Sequence, residues 1–150
     1  MASVQSQFQD TVVGVIKTVT GFTSLTPLPQ VLSTDKPDTD LISVPGALVY
    51  PVAERILPAT NGQDDIAYGV GVSMVWKLGN PDSDTMREFR RLILREFRSQ
   101  SITTAELVVA HLVEITLGEV SERFDKEERV HISEFAFHFF VREFQKDNAP

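Results

Sequence analysis

The feature that most constrains the fold is strict alternation. In "IAYGVGVSMVWK", Ile66, Tyr68, Val70, Val72, Met74 and Trp76 fall on one side while Ala67, Gly69, Gly71, Ser73 and Val75 fall on the other. A period of two is what a strand with one buried face requires. "HISEFAFHFFVREF" repeats the pattern, with Ser133, Phe135, Phe137, Phe139 and Val141 opposite Glu134, Ala136, His138, Phe140 and Arg142, and "VEITLGEV" alternates as well. A sheet with one apolar face is therefore required. The smooth second face of 67–75 would admit a closely approaching helix or backbone.

Helical periodicity supplies the second layer. Val4, Phe8, Val12, Val15, Ile16 and Val19 share one arc at 100° per residue, which predicts a helix over 4–19, although Gly14 and the β-branched valines leave a partial strand open. "LGNPDSD" reads as a turn leading to a helix start with Asp82 or Ser83 as N-cap, and the helix should run to about Ser99. Between them, "ISVPGALVYP" predicts a short edge strand and "VAERILPATNGQDD" the long loop of a hairpin; beyond the second helix, 105–113 reads as helix or strand, with strand favoured because "VEITL" continues it without a breaker. The stretch 20–40, with three prolines, reads as an irregular arm, and the charged "SERFDKEER" as the tip of a projecting acidic hairpin at about 119–130. The expected whole is a single α+β domain over 1–150: an antiparallel sheet of about four strands with two helices on one face.

Composition excludes several functions. The 150-residue chain has no cysteine, so disulfide frameworks, zinc ribbons and thiol nucleophiles are out. No signal peptide and no apolar run of spanning length is read, so we expect a soluble chain in the cytoplasm of its producing cell with no membrane contact. His131 and His138 have opposite parity on one strand and cannot share a metal. Asp64-Asp65 beside Asn61-Gly62 fits turn chemistry better than a metal pair. No G-x-S-x-G elbow occurs, and Gly69-x-Gly71 lies inside a strand instead of at a phosphate-binding turn. We expect no catalytic residue, no cofactor and no metal.

Charge points elsewhere. The net charge is −7, yet residues 82–100 sum to +1 and carry five of the fourteen basic residues. At 100° per residue Arg87, Arg90, Arg91, Arg95 and Arg98 share one face, opposite Met86, Phe89, Ile93 and Phe97. Leu94 interrupts the arginine arc and Glu96 the apolar one. Such a face is either solvated or a contact surface; an acidic chain disfavours nonspecific DNA binding, because phosphate neutralisation needs a basic footprint. The contact reading pairs Arg87, Arg91, Leu94, Arg95 and Arg98 with Glu122, Asp125, Glu127 and Glu128 of another copy.

Tyr50, Pro51, Arg55, Asp65, the alternation from Ile66 to Trp76, the helix after it and the closing "HISEFAFHFFVREF" give residues 8–144 a pattern that resembles tail terminator, or tail-completion, proteins of long-tailed bacteriophages. The resemblance implies a non-enzymatic virion subunit in a homo-oligomeric ring, typically a hexamer. That ring caps the tail tube, meets the tube protein on one side and the head connector or neck on the other, and lets DNA pass. The resemblance does not extend to the arm or the acidic hairpin. Another neck or head-completion adaptor, or a small α+β enzyme, remains the alternative.

Overall fold

The computed structural model describes residues 3–19, 21–25, 29–36, 44–60, 63–79, 82–98 and 111–144. Side chains within these ranges are described except those of 23, 57–60, 63–65, 98, 111–114 and 143–144. Helix α1 (Val4–Thr18) leads through a 3-10 turn (Phe22–Ser24) to strands β1 (Gln30–Ser33), β2 (Gly46–Thr60) and β3 (Gln63–Lys77). Helix α2 (Ser83–Arg98) follows, then β4 (His111–Leu117), β5 (Ser121–Asp125) and β6 (Val130–Phe144).

The fold is α+β, as the periodicities predict, but the sheet has six strands instead of four. Its order is β1-β2-β3-β6-β4, with β5 also pairing β6. The frame is β2, β3 and β6, each fifteen residues long, with the central β3 antiparallel to both neighbours. At a rise of about 3.3 Å per residue each strand spans roughly 50 Å, about twice the length of either helix at 1.5 Å per residue. β4 lies along one half of β6 (residues 137–142) and β5 along the other (130–134).

Both helices pack on one face. Phe8, Val12 and Ile16 of α1 and Met86, Phe89, Ile93 and Phe97 of α2 join Val70, Val72, Met74 and Trp76 of β3 and Phe135, Phe137 and Phe139 of β6 in a single core. Phe8 stacks on Phe139 with ring centroids 4.3 Å apart, and Phe97 lies 4.0 Å from Phe137. Ser3 caps α1 by accepting from the Ser6 amide at 3.1 Å. Gly14 faces open space on the outer side of the helix, so burial of the opposite stripe overrides its low propensity.

Three expectations need correction. The stretch 20–40 is not wholly irregular. Phe22 is buried beside Phe89, their rings edge-on at 5.5 Å, and β1 pairs in parallel with Gly46–Val49. Pro29 precedes this strand and so interrupts none of it. Residues 52–60 are strand, not loop, because β2 continues past Pro51 and Pro58. The Val49 carbonyl faces β1, accepting from the Thr34 amide at 2.7 Å, so residues of its parity, Pro51 included, point away from β3 and no ladder bond is lost. "SERFDKEER" is not all tip: Ser121–Asp125 pairs with β6, and only Lys126–Arg129 turns. The expected strand over 105–110 lies outside the described residues.

The reverse face has a different construction. Gly69 and Gly71 of β3 lie beneath Val52 and Tyr50 of β2. A Cβ on Gly71 would come within 2.5 Å of the Tyr50 ring; one on Gly69 would overlap Val52 and approach the Ala53 carbonyl oxygen to 2.7 Å. Among the described residues it is strand side chains, not a helix, that fill this close approach.

Candidate assembly interface

α2 exists because its sequence puts apolar residues on one arc and arginines on the other. Asp82 occupies the cap position, its carbonyl accepting from the Met86 amide at 3.1 Å, and the Trp76 indole N–H donates to Ser83 Oγ at 3.0 Å, fixing the helix start to β3. Met86, Phe89, Ile93 and Phe97 are buried, and Arg87, Arg91 and Arg95 are exposed.

The first arginines find their acid within the same chain. Arg87 Nη2 donates to Glu122 Oε1 at 2.7 Å, its Nε lies 3.2 Å from both carboxylate oxygens, and its Nη1 reaches Asp84 at 3.1 Å. Arg90 Nη1 donates to Glu122 Oε2 at 3.0 Å and to Ser133 Oγ at 2.8 Å. Glu122 and Phe124 share the helix-side face of β5, and Phe124 leans on His131, which stacks on Trp76. One carboxylate gripped by two guanidinium groups thus ties β5 to α2. Hydrogen bonding from Arg87 holds the Glu122 carboxyl below its ordinary range against an opposing effect of burial, with Arg90 adding to the first.

The remaining candidates separate. Arg91 pairs with Glu88 one turn away, which lowers the Glu88 carboxyl. Leu94 is half-buried and packs against the core. The Arg98 side chain lies outside the described ones. Asp125 Oδ1 accepts from the amides of Glu127 at 3.0 Å and Glu128 at 3.2 Å, closing the turn in which both glutamates are exposed. Arg129 ends that turn with φ of 58°, a left-handed conformation. Among the described residues Arg95 forms no ion pair, although its charge contributes to lowering Glu88.

Sequence reasoning missed a groove on the reverse face, of about 310 Å³, lined by Tyr50, Val52, Gly71, Ala136, Glu119 and Glu134 among others. Tyr50 Oη and Ser73 Oγ share a hydrogen bond at 2.9 Å, and burial pushes the Tyr50 phenol up. Arg123 Nε donates to Glu134 at 3.2 Å, whereas Glu119 is exposed and forms no ion pair among the described residues. The Gly-x-Gly-x-Ser face of β3 is the signal that could have located this groove. His131 and His138 do point to opposite faces, and among the described residues no group of three potential metal ligands converges.

No protein-family model matches the sequence, and no curated protein matches it. A solved structure matches it in fold. The chain has the fold of a gene transfer agent virion chain. That chain belongs to the virion of a native gene transfer agent particle and superposes with a TM-score of 0.60 at 13% identity. The likeness covers 95% of this chain and 99% of the other, so it concerns the whole arrangement of elements. At this identity what is shared is the fold.

Proposed function

We propose that the chain is a structural subunit of a long-tailed phage virion, forming a ring that caps the tail tube and joins it to the head connector. The observation that carries this reading is the whole-length likeness to a chain of an assembled virion. It is supported by a surface on which Arg95, Glu119, Glu127 and Glu128 are exposed on separate elements, as contacts between copies would use them. In this role the subunit does no chemistry. It stops tube growth by covering the last ring of tube protein, offers its other side to the neck, and leaves an axial channel through which DNA passes without sequence-specific binding. It is made in the host cytoplasm and ends in the virion neck.

The test is polymerisation of the cognate tail tube protein with and without the purified chain, followed by electron microscopy and native mass spectrometry. Tubes of bounded length carrying a closed hexameric cap are the expected result. A chain that neither self-associates nor binds tubes overturns the reading. A chain that leaves tube growth unchanged but binds the head connector places it instead as a neck or head-completion adaptor.

A further inference from the structure

We infer, resting on the ring reading, that successive copies meet back to front: Arg95 on the outer side of α2 of one copy enters the reverse-face groove of the next and pairs with Glu119. The geometry points to this because the helices cover one side of the sheet and the groove opens on the other. A contact between opposite sides of like subunits is head-to-tail, the type that closes into rings.

Among the described arginines of α2 and the acids of the groove lining, one of each is left without an ion pair. Arg87 and Arg90 are committed to Glu122, and Arg91 to Glu88, within the same chain. Arg95 is left exposed without an ion pair among the described residues, and Glu119 on the groove rim is in the same condition. The groove also suits the rest of the side chain. Its walls include Val52 and Ala136, against which an aliphatic stem packs while the guanidinium reaches the rim. A volume of about 310 Å³ accommodates such a side chain with bridging water. The occupant is thus a second copy of this chain. A free basic peptide lacks the flanking surface of α2, where Leu92 and Leu94 are half-buried beside Arg95.

The experiment is a charge swap on the full chain, assembled with tail tube protein and followed by native mass spectrometry and sedimentation. Arg95→Glu and Glu119→Arg should each raise the concentration for half-assembly by about tenfold or more, and the double variant should return it to within about threefold of wild type. Single variants that assemble like wild type, or a double variant no better than the worse single one, overturn the inference while leaving the ring reading intact. A wild-type chain that never assembles overturns both. If Arg95→Glu lowers the melting temperature, Arg95→Gln, which keeps helix propensity without the charge, replaces it with the same direction expected.

Discussion

The two faces of the sheet reach burial by opposite means. On the helix side, large residues of β3 and β6 meet large residues of α1 and α2: Phe8, Phe97, Phe137 and Phe139 are all essentially inaccessible. On the reverse side β3 offers only Ala67, Gly69, Gly71, Ser73 and Val75, and Tyr50 and Val52 of β2 lie across the glycines. One face is closed by volume supplied from other elements, the other by volume withheld from its own strand. The first should therefore be sensitive to removal of atoms and the second to their addition, and helix-side substitutions should spare the groove.

The largest effect should come from Phe97→Ala. The ring is fully buried, 4.0 Å from Phe137 and 6.0 Å from Phe139 by centroid, so its loss leaves a cavity walled by rings that cannot collapse into it. A destabilisation of about 3–5 kcal/mol is expected in chemical denaturation. A value near that of an exposed substitution would mean the helix layer does not close this face. Next comes Gly69→Ala, where the added methyl group overlaps Val52 and meets the backbone oxygen of Ala53, which cannot rotate away. This should cost about 1–3 kcal/mol. Gly71→Ala should cost less, since its obstacles are side chains, the Tyr50 ring and Val52, and the ring is able to turn at the expense of its bond to Ser73. Reversal of the two glycine effects would show that Tyr50 is held more firmly than the backbone of β2.

The same contrast explains what could be read from the sequence. α1, α2, β3 and β6 are long and one-sided, so burial imposed a period on them that survives in the residues. β5 had no such pattern to show, because Ser121–Phe124 are all exposed and a strand paired only to β6 needs no alternation. β1 is four residues beside prolines. Pro51 and Pro58 mislead because the rule against proline in strands applies to donors the ladder uses, and Pro51 points away from its neighbour. The arginine face was legible as a helical stripe. Its main acid, Glu122, was among the candidates, but that it pairs within the chain was not legible, since it lies 35 positions from Arg87 and only the fold brings them together. The acidic partner expected on another copy is, for Arg87, on its own β5, where Arg90 shares it. The virion role entered through the family resemblance, whereas the likeness to a solved structure at 13% identity concerns the fold alone.

The smallest expected effect sits where the two layers are joined by charge instead of packing. Glu122→Gln keeps the shape of the β5 anchor and removes its charge. The folded carboxyl lies below its unfolded value of about 4.3, so its contribution is present above that pH and is lost as pH falls through the folded value. At pH 7 the variant should melt only a few degrees below wild type, because the side chain is still 24% exposed and water screens the pair. The gap should close on acidification, when wild-type Glu122 is protonated too. A gap that persists unchanged into acid would assign the loss to altered hydrogen-bond geometry with Arg90 and Ser133. In that event β5 would be held to α2 by shape, as the helix-side core is, and the contrast between packed and charge-joined regions would fail at this strand.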